Sequence, residues 1–206
     1  MKSINKLKDA NVEQLEGHYD DWAVRYDEDL LSMGYRAHEF AADDMATLIR
    51  DRHAPVLDAG CGTGLTGRSL YERGFDSLVG IDLSAESLAL AETKKCYDKL
   101  AKQDLGQPLT FGDDTFAHAQ CIGTLTYVKD VEAFFREICR VVRTGGIFLY
   151  SQRTDLHDEA FEAVTEKLSQ EGRWSFVSRS ERRPYIPGDP DYGDRIRIIF
   201  DAFRIR

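Results

Sequence analysis

The segment Val56-Leu57-Asp58-Ala59-Gly60-Cys61-Gly62-Thr63-Gly64 carries an apolar run into a carboxylate and then into three alternating glycines. The apolar residues are typical of a buried β-strand, and the pattern after the glycines predicts a helix from about Leu65. Glycine at Gly60 and Gly62 allows a sharp turn and leaves room for a ligand where a Cβ atom would collide. Asp58 falls at the carboxyl end of the strand, the edge where open α/β sheets bind their ligands. The segment therefore predicts a strand, a turn that faces a ligand, and a helix.

A second buried strand ends in an acid eighteen residues after Gly64, in the sequence Ser77-Leu78-Val79-Gly80-Ile81-Asp82. An acid at the end of the neighbouring strand is placed to accept hydrogen bonds from both hydroxyl groups of a ribose. A carboxylate at Asp58 would repel a pyrophosphate, but it would attract a ligand that carries an ammonium and a sulfonium. The two acids therefore make S-adenosylmethionine the first candidate ligand.

The same glycines leave two other interpretations open. Gly62, Gly64 and Gly67 also match the pattern G-x-G-x-x-G of nicotinamide and flavin dinucleotide sites, a pattern that is weakly diagnostic on its own. A dinucleotide places its pyrophosphate at the helix N-terminus, where Asp58 would add a negative charge. The glycines could also form only a tight turn, but this would not explain why Asp58 and Asp82 end two successive strands.

Residues 58–64, taken with Gly80-Ile81-Asp82-Leu83-Ser84, resemble the first two motifs of class I S-adenosylmethionine-dependent methyltransferases, and the similarity extends from about Tyr19 to Arg153. Residues 19–27 and 34–37 resemble more narrowly the methyltransferase-like proteins named after the Williams–Beuren chromosome region. The resemblance implies methyl transfer from S-adenosylmethionine, which becomes S-adenosylhomocysteine. It also implies a Rossmann-like α/β fold whose seven strands have the order 3-2-1-4-5-7-6, with the last strand antiparallel.

Strands and helices alternate along the chain without a repeat or a linker, which predicts one domain over residues 1–206 and a mostly parallel sheet with helices on both faces. By resemblance, residues 1–50 form a helical lid over the cofactor. In the last strand the apolar alternation changes phase between Ala202 and Phe203, which predicts a bulge there. Helices are expected at 7–27, 37–50, 65–73, from 85, from 130 to the glycines at 145–146, and at 158–171; strands are expected at 55–58, 77–82, 98–102, 117–122, 147–151, 174–178 and 195–205.

Composition excludes several classes of protein. The chain has 206 residues, 42% of them hydrophobic, which is enough for a substantial core without disulfides or metals. A net charge of −9 disfavours nucleic acids and anionic membranes as partners. The basic residues 1–8 lack an apolar run, so we expect a frayed end and not a signal or an anchor. The cysteines form no C-x-x-C pair and no histidine lies at metal spacing, which predicts reduced packing residues, no metal site and a cytoplasmic setting; they are Cys61, Cys96, Cys121 and Cys139.

The predicted cofactor site lies at the carboxyl ends of successive strands. By resemblance, Asp104 accepts from the adenine amine, and Tyr26 contacts the methionine end. Tyr19, Trp22 and Tyr26 share one helical face, which is also typical of simple core packing. The full predicted set is Trp22, Tyr26, Asp58, Ala59, Gly60, Cys61, Gly62, Asp82, Leu83, Asp104, Leu105, Ile122 and Gly123.

The acceptor side of the site is less well defined by the sequence. Methyl transfer from a sulfonium is an in-line displacement, and holding donor and acceptor together contributes about 7–11 kcal/mol. The enzyme therefore needs no acid or base, or only one that deprotonates the acceptor. Weak candidates for such a role are Tyr127, Arg153 and His157, together with the loop 182–188. The other histidines, at 18, 38, 53 and 118, are dispersed, and only His157 is expected near the site.

The sequence predicts a small-molecule acceptor of unknown identity, because no extra basic or aromatic module is present to dock a macromolecule. A monomer or a homodimer is expected. Two alternatives stay open: an NAD(P)-dependent oxidoreductase, and a non-catalytic S-adenosylmethionine-binding partner protein. The second alternative predicts that side chains fill the methyl side of the site, next to Gly123 and Tyr127.

Overall fold

A computed structural model describes residues 10–193 and 195–206. The predicted helix start at Leu7 and the predicted frayed end at residues 1–8 lie outside these residues. The helices described are α1 (Val12–Ser32), α2 (Ala37–Leu48), α3 (Leu65–Glu72), α4 (Ala85–Thr93), α5 (Val131–Val141) and α6 (Glu159–Gln170), with a short 3₁₀ helix at Leu125–Tyr127. The strands described are β1 (Val56–Ala59), β2 (Leu78–Asp82), β3 (Lys99–Lys102), β4 (His118–Cys121), β5 (Ile147–Arg153), β6 (Trp174–Arg179), β7 (Arg183–Pro184) and β8 (Arg197–Ile205).

The sheet has the order β3-β2-β1-β4-β5-β8-β6, and the two-residue β7 pairs with β8 beside this path. Strands β1 to β5 pair in parallel, whereas β8 runs antiparallel to both β5 and β6. The predicted fold is therefore confirmed. The last long strand is the eighth and not the seventh because β7 precedes it in the chain.

Capping side chains begin several helices where the sequence predicts them. Asp130 Oδ1 accepts from the Ala133 N–H at the start of α5, and Ser84 Oγ accepts from Ser87 at the start of α4. Each such cap contributes about 1 kcal/mol. The first helix continues past its predicted end at Asp27 and stops before Gly34, whose φ of +79° belongs to the left-handed region.

Two apolar cores lie on opposite faces of the sheet. Residues of α1, α2 and α3 cover one face, including Trp22, Met45 and Leu70. Residues of α5 and α6 cover the other face, including Phe135 and Leu168. Because the sheet is buried on both sides, its polar ligand site is confined to the carboxyl edge of the strands.

The irregularity predicted between Ala202 and Phe203 is found at that step of the pairing between β6 and β8, but the extra residue lies in β6 and not in β8. Strand β8 pairs with β5 without interruption, and the register shift lies in β6, between Phe176 and Ser178. The prediction assigned the extra residue to the wrong strand because β8 is a central strand with both faces buried. Such a strand needs no alternation of apolar and polar residues.

Because His118 is partly buried, we expect the free energy of unfolding to fall in acid. Its Nδ1 accepts from the Ile147 N–H at 3.0 Å, and burial, followed by the charge of Arg143, lowers the His118 pKa to about 4. In the unfolded chain this histidine has a pKa near 6.5, so it is protonated at a higher pH than in the folded protein. The free energy of unfolding therefore falls between about pH 6.5 and pH 4, by up to about 3 kcal/mol. Urea unfolding between pH 4 and 7 measures this loss. His118→Asn keeps an acceptor for Ile147 without titrating, so the variant should have a shallower pH slope; equal slopes would contradict the prediction.

Candidate functional site

A cavity of about 260 Å³ lies at the carboxyl ends of the parallel strands, with α1 along one side. Residues of the predicted lid line it, from Ala10 to His38. Most of the predicted site also lines this cavity. The predicted residues found there are Tyr26, Gly60, Cys61, Gly62, Asp82, Leu83, Asp104, Leu105, Ile122, Gly123 and Tyr127.

The turn after β1 requires glycine for two different reasons. Gly60 has a φ of +75°, and a Cβ atom there would lie 2.4 Å from Thr124 Oγ1. Gly62 has a φ of +53°, and no atom lies within 4 Å of the position of its missing Cβ. Gly60 therefore closes the turn against the loop after β4, while Gly62 keeps backbone open to a ligand.

Asp82 is held rigidly at the end of β2. Its Oδ2 accepts from the Gly62 N–H at 2.8 Å, and its Oδ1 accepts from the Ser84 N–H at 2.9 Å. A carboxylate has about four acceptor positions, so each oxygen keeps capacity for a ligand hydroxyl. Burial raises the pKa of Asp82, and the hydrogen bonds from Ser84 and Gly62 act in the opposite direction.

The end of the cavity next to β3 combines an acid with an amide. Asp104 Oδ1 accepts from the Gly106 N–H at 2.8 Å, and Gln103 Oε1 accepts from the Thr110 N–H at 3.0 Å. The Gln103 Nε2 is buried without a hydrogen-bond partner. This end therefore offers both an acceptor and a donor to a ligand that carries both, as adenine does.

Asp58 and Ala59, for which the sequence predicts a ligand contact, do not line the cavity. Both are fully buried behind the glycine turn. The Asp58 carboxylate accepts from Thr66 Oγ1 at 2.6 Å, Tyr97 OH at 2.7 Å and Gln120 Nε2 at 3.0 Å. Burial raises the pKa of Asp58 despite these bonds. Asp58 thus fixes α3, β4 and the segment before β3 around the turn.

Five tyrosines converge beside Gly123 and form what we call the tyrosine chamber, of about 10 Å³. This volume holds about one water-sized group. Burial is the largest of the effects that raise the pKa of each of these five tyrosines, and the pKa of Tyr127 rises to about 12. Trp22 lines only this chamber and not the larger cavity, because its Nε1 donates to Asp29 at 2.7 Å. The tyrosines of the chamber are Tyr19, Tyr26, Tyr35, Tyr127 and Tyr185.

Arg153 and His157 lie outside the cavity. The Arg153 guanidinium is buried and pairs with Asp155 at 2.6 Å, and it lies 4.8 Å from the ring centre of Tyr192. His157 lies on the face covered by α6, 3.1 Å from Arg179. The closeness of His157 to the end of β5 in the sequence was misleading, because the chain turns to the opposite face of the sheet before α6 begins. Arg153 instead lies 5.9 Å from the ring centre of Tyr185, a residue of the tyrosine chamber.

Polar contacts fasten α1 over the cavity. Ser84 Oγ donates to Asp20 at 2.6 Å, and Lys94 Nζ pairs with Asp27 at 2.7 Å. Asp27 also accepts from Thr63 in the glycine turn. The N-terminal helix is therefore tied to the elements that carry the predicted cofactor contacts.

Sequence reasoning missed His38, Thr66 and Gln103, which line the cavity, and Tyr97, which bonds to Asp58. No motif marks them. His38 lies in an amphipathic helix, where a lone histidine is indistinguishable from a packing residue. The polar Gln103 next to Asp104 was the one local signal available.

The described part of the chain shows neither a metal-binding cluster nor a helix that could span a membrane. Within residues 10–193 and 195–206, no three His, Cys, Asp or Glu side chains are arranged to hold a metal ion. None of the helices in these residues has the length and apolar character needed to cross a bilayer.

Residues 57–150 match the family model described as a methyltransferase domain. Human methyltransferase-like protein 27 is 33% identical over 163 residues, which cover 76% of this chain and 66% of that protein. The 18S rRNA (guanine(1575)-N(7))-methyltransferase of Saccharomyces cerevisiae is 25% identical, over 53% of this chain and 45% of that protein. The chain thus spans about two thirds of the human relative and less than half of the yeast relative.

Solved structures share the fold over most of their length. The [4+2]-cyclase SpnF matches with a TM-score of 0.73 and 15% identity, covering 95% of this chain and 97% of that chain. An S-adenosylmethionine-dependent methyltransferase from Mesorhizobium loti matches with a TM-score of 0.63 and 21% identity, covering 81% and 99%. At these identities the likeness shows the fold alone. The domain match and the human relative go further: the chain belongs to the class I S-adenosylmethionine-dependent methyltransferases, whose cofactor is S-adenosylmethionine.

Proposed function

We propose that this protein transfers a methyl group from S-adenosylmethionine to a small-molecule acceptor at the tyrosine chamber. The observation that carries the proposal is Asp82, whose two oxygens are oriented by backbone N–H groups at a cavity that adjoins a buried chamber. A nucleoside that carries a sulfonium fits this charge pattern, since no phosphate would be repelled by Asp82.

The residues of the cavity fit the cofactor from one end to the other. Asp104 and Gln103 would hold the adenine, and Asp82 would hold the ribose hydroxyls. Gly62 leaves the space that the nucleoside needs. Gly60 and Tyr26 would then contact the methionine part, next to the chamber. The individual contacts belong to this proposal and are supported by the lining of the cavity.

The chamber favours an acceptor that is nucleophilic without help from a base. S-adenosylmethionine supplies a methyl group already activated by its sulfonium. Among the described residues that line the chamber, none is a carboxylate, a histidine or a lysine. The tyrosine hydroxyls stay protonated at neutral pH because burial raises each pKa. They would position the acceptor and exclude water, which is the main source of rate in such a transfer.

The size of the acceptor follows from the same chamber. A volume of about 10 Å³ admits only a very small group unless tyrosines move aside, and the net charge of −9 opposes binding of RNA. The yeast relative is named for rRNA methylation, so RNA is the acceptor that most needs testing. The small chamber also agrees with the non-catalytic alternative, in which the methyl side is closed.

The remaining expectations form part of the proposal. We propose that α1 and α2 act as the lid over the cofactor, supported by the contacts of Asp20 and Asp27 with α4. One domain is supported by the continuous sheet. A cytoplasmic setting is supported by four free cysteines, of which three are buried.

A ligand and transfer experiment tests the function. At one hundred times its dissociation constant, S-adenosylhomocysteine should raise the melting temperature by roughly 5–10 °C, because it adds about 2.7 kcal/mol of stability. NADH should not. The protein is then incubated with a donor carrying an isotope-labelled methyl group and either a small-metabolite extract or total RNA. Label in the metabolite fraction is expected; label only in RNA would refute the acceptor class, and binding without transfer would favour the non-catalytic alternative.

A further inference from the structure

His38 in α2 lines the cavity and has a buried ring nitrogen without a hydrogen-bond partner. Its side chain lines the cavity and is 6% exposed. The Nδ1 atom lies 2.8 Å from Ser69 Oγ in α3, whereas the Nε2 atom has no hydrogen-bond partner. Buried polar atoms are nearly always paired in folded proteins, so this nitrogen points to a ligand atom. We propose that His38 Nε2–H binds the carboxylate of the methyl donor and of its product, which rests on the function proposed above.

The proposed contact requires the tautomer of His38 in which the Ser69 hydroxyl donates to Nδ1 and Nε2 carries the proton. A neutral imidazole has one donor and one acceptor nitrogen. The Ser69 hydroxyl has a hydrogen to donate, and His38 Nδ1 is its partner. Donation from Ser69 to Nδ1 would leave the proton on Nε2, the nitrogen that has no partner within the protein. Burial lowers the pKa of His38, so this neutral form is the one present at pH 7.

An N–H donor at this place selects the carboxylate over the ammonium of an amino acid. An ammonium is only a donor and a carboxylate only an acceptor. Among the described residues that line the cavity, the one other basic side chain is Lys129. Its neighbour Val128 packs in the same cluster as Leu105, at the adenine end. His38 lies at the other end, beside Tyr35.

The charged groups around His38 are already paired with one another. On its own helix, Arg36 pairs with Glu39 at 2.6 Å. Asp27 of α1 pairs with Lys94. Arg73, the residue after α3, pairs with Asp43 at 2.7 Å. None of these groups forms a hydrogen bond with His38 Nε2. This nitrogen is therefore available for a hydrogen bond to a ligand. The first-turn N–H groups of α3 would also favour an anion here.

A pair of ligands tests this contact. S-adenosylhomocysteine carries the carboxylate, while 5′-methylthioadenosine has the same nucleoside and thioether sulfur without the amino-acid group. Calorimetry measures both dissociation constants for the wild type, His38→Phe and His38→Gln. His38→Phe should weaken the binding of S-adenosylhomocysteine about ten- to a hundredfold. The dissociation constant of 5′-methylthioadenosine should stay within about twofold of its wild-type value. His38→Gln should recover part of the loss, because its amide reaches the position of Nε2–H. His53→Gln, at an exposed histidine paired with Asp76, is the matched control.

Each result has a separate meaning. Equal weakening of both ligands by His38→Phe, or no weakening of either, would overturn the carboxylate contact. A wild type that binds neither ligand would instead overturn the proposed function. If His38→Phe does not fold, imidazole NMR of the wild type decides. S-adenosylhomocysteine should then shift the Nε2–H signal of His38, and 5′-methylthioadenosine should not; equal shifts with both ligands would contradict the proposal.

Discussion

Replacing Asp82 with alanine should remove nearly all affinity for S-adenosylhomocysteine. Two ribose hydroxyls donating to a charged acceptor contribute about 1.5–3 kcal/mol each. Their joint loss weakens binding by at least about a hundredfold. The same change frees the N–H groups of Gly62 and Ser84, which Asp82 now holds at 2.8 and 2.9 Å. The glycine turn would therefore lose its shape as well as its contact with the ribose.

Calorimetry with S-adenosylhomocysteine measures the effect, and thermal unfolding without ligand checks that the variant folds. Asp104→Asn is the matched comparison at the adenine end. That variant exchanges one acceptor oxygen for a donor and should cost no more than about tenfold in affinity, equivalent to roughly 1.4 kcal/mol. An Asp82→Ala protein that keeps the wild-type dissociation constant would show that the ribose lies elsewhere.

Many helix and strand boundaries were predictable because their determinants are local, whereas the order of the strands in the sheet was implied by the family resemblance. The glycine turn after Asp58 ends one strand and begins α3 at Leu65 as predicted, and Asp130 caps α5. Each of these signals depends on residues within one turn of chain. The extra residue of the bulge was assigned to β8 and not to β6, because the pairing of β6 depends on its distant partner β8. Alternation within a single strand carries no information about that partner.

The sequence predicted the site residues whose location is set by the path of the backbone. Gly62, Asp82 and Asp104 lie at the cavity because they follow the carboxyl ends of parallel strands, which all meet at one edge of the sheet. Side-chain direction was not predictable. His38 reaches the cavity from α2, and Tyr97 reaches Asp58 from beyond α4. Such contacts depend on how helices pack on the sheet, which one sequence does not specify.

Asp58→Ala should destabilise the protein more than any other single change to the site, by about 3–5 kcal/mol, because each buried donor left unpaired costs about 1–3 kcal/mol. It removes one acceptor from three buried donors at once: Thr66 Oγ1, Tyr97 OH and Gln120 Nε2. Urea unfolding should show a midpoint lower by more than about 1 M, given a slope of about 1–3 kcal/mol per M.

Asp58→Asn separates the structural role of Asp58 from direct ligand binding. Gln120 Oε1 is buried without a partner, so rotation of the Gln120 amide would give the new asparagine N–H₂ an acceptor while the asparagine oxygen still accepts from Tyr97. Because burial already raises the pKa of Asp58, the neutral amide also removes the cost of a buried charge. We therefore expect Asp58→Asn to lose less than half the stability that Asp58→Ala loses, and to bind S-adenosylhomocysteine within about threefold of wild type, less than one charged hydrogen bond. A hundredfold loss of affinity in a fully folded Asp58→Asn protein would restore the direct ammonium contact that the sequence suggested.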